Sequence, residues 1–155
     1  MMTTCKVRDV MQPAVASIAP TTPRAEIERQ MQGRGIHHLP VLERGQIVGM
    51  ISYGDVLRVR PSHVPRLRLY EPPIDASEAA AWTMMSHSVI TIAATAPLSQ
   101  AAWLMLKHKI GSLPVLFGGR LIGIITASDI LRQVAGQSSD LIEERQAAEF
   151  VASSR

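Results

Sequence analysis

Gly35-Ile-His-His-Leu-Pro-Val-Leu42, followed by Gly45-Gln-Ile-Val-Gly-Met-Ile-Ser52-Tyr-Gly-Asp55-Val-Leu-Arg58, is the stretch that decides the fold. It returns as Ile110-Gly-Ser-Leu-Pro-Val-Leu116 and Gly123-Ile-Ile-Thr126-Ala-Ser-Asp129-Ile-Leu-Arg132. Asp55 to Asp129, Pro40 to Pro114 and Met11 to Met85 are the same step of 74 positions. A repeat that keeps register from Val10 to Arg58 is one structural unit used twice. Such a unit is too small to be stable on its own core, so each copy needs the other.

Outward from that stretch, Lys6–Met11 fits one helical turn and Ala14–Ile18 a short strand, broken by Pro20-Thr-Thr-Pro23. Thr22 is expected to cap the next helix with Pro23 in its first position, where a missing N–H is harmless. Ile27 and Met31 share one helical face, and Gly33 and Gly35 end the helix. Leu39–Leu42 and Ile47–Ser52 read as a hairpin across Glu43–Gln46. A second helix runs from Ser52–Asp55 to about Arg60, where Pro61 stops it. The unit is β-α-β-β-α and the class α+β. The second copy reads as a strand near Val89–Ile92, a helix from Pro97, strands Leu113–Leu116 and Leu121–Thr126 around Gly118-Gly119, and a helix from Asp129. The expected divisions are 7–60 and 80–134 for the repeats, 61–79 for a linker with a connecting helix, and 135–155 for a C-terminal helix or tail. Pro61, Pro65, Pro72 and Pro73 make the linker extended and stiff. Asp75-x-x-Glu78 predicts a capping box on an Ala-rich helix leading through Trp82 to Met84-Met85, and Asp140-x-x-Glu143 caps a last helix to Val151.

Of the 155 residues, 46% are hydrophobic, 19% charged and only 4% aromatic, which describes a folded chain with an aliphatic core. One cysteine, Cys5, rules out an intramolecular disulfide and a cysteine metal cage, and fits a reduced cytoplasmic setting. No basic-then-apolar opening predicts a signal peptide, and no apolar run is long enough to span a bilayer, so a soluble protein is expected. The net charge of +3 points weakly to anionic partners. Arg58, Arg60, Arg66 and Arg68 cluster without an acid between them, but Tyr70 alone is thin support for nucleic-acid binding. No nucleophile elbow, phosphate-binding Gly-rich loop, His-Glu-x-x-His or Cys-His pair occurs, so an enzyme is not expected.

The two first helices differ. Arg24–Met31 is polar on most sides, whereas Leu98–Leu106 is apolar nearly all round, with Trp103 where the first copy has Arg29. A helix without a polar face is covered on more than one side. The expected cover is a partner subunit, giving a homodimer, or the C-terminal helix.

Leu39-Pro40-Val41, the hairpin, Gly49-x-Ile51-Ser52-x-x-Asp55 and their twins resemble a tandem pair of CBS domains, named after cystathionine β-synthase. Asp9-Val-Met11 and Met84-Met85 match the usual opening of such units. The resemblance implies two repeats packed with pseudo-two-fold symmetry around two clefts. It implies an adenosine-containing effector there (AMP, ADP, ATP or S-adenosylmethionine) and no required cofactor. Asp55 and Asp129 match the ribose-binding acid, and Ser52 and Thr126 the neighbouring hydroxyl. Ser/Thr-x-x-Asp is equally a near-capping box that needs no ligand. His37 and His38, with Gly111 and Ser112, match the turn bordering adenine and phosphate; alternatively they only fill a turn. Two adjacent histidines point opposite ways and make a poor metal site. Val15 and Ser17, with Val89 and Thr91, match residues flanking the base, though strand alternation explains the valines as well. Arg58 and Arg132 could reach phosphates or be solvated helix-end cations. One site is thus expected from Val15, Ser17, His37, His38, Leu39, Pro40, Ser52, Asp55 and Arg58. The other is expected from Val89, Thr91, Gly111, Ser112, Leu113, Pro114, Thr126, Asp129 and Arg132. The implied role is regulatory: ligand binding biases one inter-repeat geometry, and a partner protein reads it. The alternatives are a dimerisation module with empty clefts, and nucleic-acid binding through the Arg-rich linker.

Overall fold

The computed structural model describes residues 5–13, 16–58 and 76–136. The linker prolines, Asp75 and the expected helix from Asp140 lie outside the described residues.

In the first copy, α1 (Val7–Val10) and β1 (Gln12–Pro13) precede α2 (Arg24–Arg34), β2 (His38–Glu43), β3 (Gln46–Ser52) and α3 (Tyr53–Arg58). In the second, β4 (Ile92–Ala93), α4 (Leu98–His108), β5 (Ser112–Phe117) and β6 (Arg120–Thr126) lead into α5, over 127–136. Each hairpin closes through two residues of positive φ, Arg44-Gly45 and Gly118-Gly119, the backbone a two-residue turn needs to match strand twist. Gly35 ends α2 in the left-handed region at φ 63°.

Several local expectations give way. Pro23 is the N-cap of α2 and not its first residue, and the Thr22 hydroxyl accepts from the Ala19 N–H, tightening the preceding turn. Gly33 lies inside the helix. The first strand of copy one shrinks, among the described residues, to a single parallel bridge between Ile18 and Val41, and β4 begins only at Ile92. The Ala-rich segment forms two short 3-10 turns, Ala76–Glu78 and Ala81–Thr83, and no α-helix. Its backbone is used elsewhere: Ala81 N–H donates to Thr22 O, Trp82 N–H to Pro20 O, and Ala79 O accepts from Arg24 N–H. Tertiary pairing overrides alanine's helix preference here.

Those bonds have counterparts one repeat away. Val7 N–H donates to Ala96 O, Arg8 N–H to Ala94 O, and Leu98 N–H to Cys5 O. The lead-in of each repeat therefore docks on the other repeat. Gln12 and Pro13 pair antiparallel with Ile124 and Gly123 of β6, and Ser86 bridges Met50 of β3 in the same way. The cores follow this exchange. Val7 is buried with Ile92, Ala101, Met105, Leu113, Val115 and Ile125 of the second copy, while Ala81 joins Ile18, Ile27, Met31, Leu39, Val41, Ile51 and Val56 of the first. Gly49 and Gly123 lie under the crossing points, where a Cβ would run into Met85 and Met11 respectively. The pseudo-two-fold is thus built from backbone hydrogen bonds and two crossed lead-ins, which makes the two repeats one folding unit.

Candidate ligand clefts

Each Ser/Thr-x-x-Asp closes on itself. Asp55 Oδ2 accepts from the Ser52 N–H (2.9 Å) and hydroxyl (2.6 Å), and Asp129 Oδ2 from the Thr126 N–H (2.9 Å) and hydroxyl (2.7 Å). Ser52 Oγ and Thr126 Oγ1 accept in return from the Asp55 and Asp129 N–H groups. The capping arrangement is therefore present, and it fixes where each Oδ1 points. Arg58 donates to Asp55 Oδ1 at 3.0 Å and Arg132 to Asp129 Oδ1 at 2.7 Å, each one helical turn on.

The carboxylates sit in two clefts that exchange halves of the repeats. The larger, about 720 Å³, joins Thr126, Asp129 and Arg132 to Arg34, Gly35, His37, His38 and Ala16 of the first copy, with Gln12, Ile124 and Ser128. The smaller, about 330 Å³, joins Ser52, Asp55 and Arg58 to Val89, Ile90, Lys109, Gly111 and Ser112 of the second, with Met50 and Ser86. The expected grouping by copy is corrected: the acid of each copy faces the turn of the other. The physical reason is the crossing of the lead-ins, which sets β3 and β6 beside the opposite repeat. His38 and Gly111 line both clefts.

Other assignments change too. Leu39, Pro40, Leu113 and Pro114 are fully buried strand residues that frame the clefts and line neither. Ser17 and Thr91 line separate cavities near the hairpin turns. Val15 lies outside the described residues, and its neighbour Ala16 lines the larger cleft. Sequence reasoning missed Gln12, Arg34 and Lys109. The signal for Lys109 was available: it stands where the first copy has Gly35, and it keeps the left-handed backbone at φ 54°.

The clefts differ electrostatically. Asp129 is 4% exposed, and Gln12 Nε2 donates to its Oδ1 at 3.1 Å, so that oxygen carries two donors, Gln12 and Arg132, where Asp55 Oδ1 has Arg58. Burial pushes the Asp129 carboxyl up, but bonds from the Thr126 hydroxyl and N–H, Gln12 and Arg132 outweigh it and hold the group below its ordinary value. Ser86, one repeat on from Gln12, has no such bond to Asp55, whose side chain is 20% exposed. His38 is half-buried; burial, then the nearby His37, lowers its pKa, with Asp55 opposing. The ring lies against Gly111, with Nε2 3.5 Å from where a Cβ would be, while His37 packs edge-on to Tyr53 at 5.9 Å. Contrary to the expected divergence of adjacent side chains, both histidines line the larger cleft, because His37 precedes β2 in a bend and does not follow strand alternation. Each cleft thus offers one carboxylate with a cation a turn away, a second cation (Arg34 or Lys109) across the gap, and an apolar wall. That set can hold a polar, hydroxyl-bearing body with an anionic tail.

The CBS domain family model matches residues 7–62 and 79–136. A CBS domain-containing protein of Bacillus subtilis, YhcV, is 26% identical over 135 residues, covering 86% of this chain and 89% of that one. A Vibrio cholerae structure named, provisionally, as the acetoin utilization protein AcuB is 30% identical with a TM-score of 0.71, covering 90% of this chain and 96% of that one. The CBS domain pair of protein MJ0100, solved with 5′-methylthioadenosine and S-adenosyl-L-methionine, is 23% identical with a TM-score of 0.72, covering 86% of this chain and 98% of that one. Some relatives are much longer: the chain spans 43% of an uncharacterized 33.4 kDa protein of Thermofilum pendens. Among the described residues no helix is long and apolar enough to cross a membrane. With two matched copies over most of its length, the chain belongs to the CBS domain family and is a tandem CBS pair.

Proposed function

We propose that the chain is a regulatory module whose two clefts take adenosine-containing ligands, with AMP, ADP, ATP and S-adenosylmethionine as the candidates. One observation carries this reading: in each cleft a helix-start carboxylate presents Oδ1 beside an arginine one turn on. A carboxylate accepts both ribose hydroxyls, and charge-assisted hydrogen bonds of this kind contribute roughly 1.5–3 kcal/mol each. The cations across each gap suit phosphate or a carboxylate. The 5′-methylthioadenosine and S-adenosyl-L-methionine bound in the MJ0100 pair support the same chemistry. The role is non-catalytic. A ligand that touches both repeats in one cleft stabilises one inter-repeat geometry, and an effector protein reads it.

The test is melting temperature against AMP, ADP, ATP, S-adenosylmethionine and single-stranded RNA, for wild type, Asp55→Ala and Asp129→Ala. A ligand at about 100 times its Kd stabilises by about 2.7 kcal/mol, and each substitution should remove its own cleft's share. No response to any adenosine ligand at millimolar concentration would sink the reading.

A further inference from the structure

A second pair of cavities lies at the hairpin turns, away from Asp55 and Asp129, and here the copies diverge. One, about 140 Å³, is lined by Gln46, Thr91, Gly119 and apolar neighbours and has no charged side chain. Its pseudo-symmetric mate, about 610 Å³, is lined by Ser17, Gln46 and two arginines, Arg44 and Arg120, with no carboxylate. Arg44 stands where the second copy has Gly118, and Arg120 where the first has Gln46.

Arg44 holds a left-handed backbone at φ 49°, which strains an L-residue and costs glycine nothing; Gly118 has the same conformation at φ 56°. The described residues contain two such non-glycines, Arg44 and Lys109. Both are cations, both line a cavity, and both face glycine in the twin copy. Lys109 belongs to the smaller cleft above. Among the described residues neither Arg44 nor Arg120 forms a salt bridge. Two arginines from different repeats thus border one cavity whose lining holds no carboxylate to neutralise them. Their forked donors match tetrahedral and planar oxyanions.

We propose that this cavity is a separate binding site for a small phosphate-bearing anion, bridged by Arg44 and Arg120. Occupancy would tie the two hairpin ends together, at the far side of the strands that carry the adenosine clefts.

The probe is inorganic pyrophosphate, read by amide chemical shifts of the full chain in wild type, Arg44→Gly, Arg120→Gln, Arg58→Gln and Arg132→Gln. Arg44→Gly installs the twin's own residue and relieves the turn, so its melting temperature should equal or exceed wild type. The expected result is saturable shifts at Gly45, Gln46 and Leu121, weakened roughly tenfold by either hairpin substitution. The Arg58 and Arg132 variants should leave them intact, which separates this site from the adenosine reading. Shifts confined to the Asp55 and Asp129 clefts, or unchanged in Arg44→Gly, would overturn the proposal. Binding of single-stranded RNA through Arg44 without a pyrophosphate response would also overturn it and make the surface a nucleic-acid contact.

Discussion

Asp55 and Asp129 carry the same motif and different surroundings. Asp129 is buried and receives four hydrogen bonds; removing it takes the partner from the Thr126 N–H and hydroxyl, so Asp129→Ala should cost about 2–3 kcal/mol in urea denaturation. Asp55 lacks the glutamine and is more open, so Asp55→Ala should cost about 1 kcal/mol, the loss of a cap. The acid limb of stability follows from the same contrast. The Asp129 carboxyl is held below its ordinary value of 3.8, so the unfolded chain takes up its proton first. The stabilisation is complete above that value and is lost as pH falls through the lower folded one. Denaturation at pH 5 and pH 3 should show this loss in wild type and not in Asp129→Ala. On the proposed reading, Gln12 would compete with a ribose hydroxyl for Asp129 Oδ1. Calorimetry should find Gln12→Ala binding an adenosine ligand about fivefold more tightly in the larger cleft, about 1 kcal/mol, the net worth of a hydrogen bond from a solvent-exposed amide. An unchanged affinity there would mean that the ribose does not use that oxygen.

At the scale of elements, the crossed lead-ins hold the repeats together. A Cβ on Gly123 would meet the Gln12 carbonyl oxygen at 2.9 Å as well as Met11, and backbone cannot move aside cheaply. The three atoms nearest a Cβ on Gly49 all belong to the Met85 side chain, whose outer end can rotate aside. Gly123→Ala should therefore destabilise by about 2–3 kcal/mol and Gly49→Ala by about 1 kcal/mol, measured by chemical denaturation. Equal costs would show that β1 can retreat from β6 as freely as a methionine side chain rotates.

For the whole molecule, the apolar helix α4 is where assembly is expected. Trp103 and Leu106 are 55% and 79% exposed, with the Lys107 ammonium 4.5 Å from the centre of the Trp103 ring. These side chains gain most from a second protein surface, and a homodimer through α4 is the proposal that uses them. Trp103→Arg installs what the first copy carries as Arg29. Light scattering should give twice the 16.9 kDa monomer mass for wild type and the monomer mass for the variant. A wild-type monomer would remove this proposal.

The chain alone determined the repeat, its 74-residue step, both hairpins and the Ser/Thr-x-x-Asp caps, because each depends on neighbours in sequence or on side-chain period. It also carried the family frame. The Ala-rich lead-in reads as a helix because that preference is local, while its hydrogen bonds go to Thr22 and Pro20 on the other repeat. The cleft partners differ from the sequence grouping for the same reason: sequence order puts His37 nearest Asp55, but the crossing brings it into the cleft of Asp129. Only the tertiary structure decided that exchange, along with Gln12's hold on Asp129 and the one cavity that Arg44 and Arg120 both line, because contacts across a pseudo-two-fold leave no periodic trace in either copy.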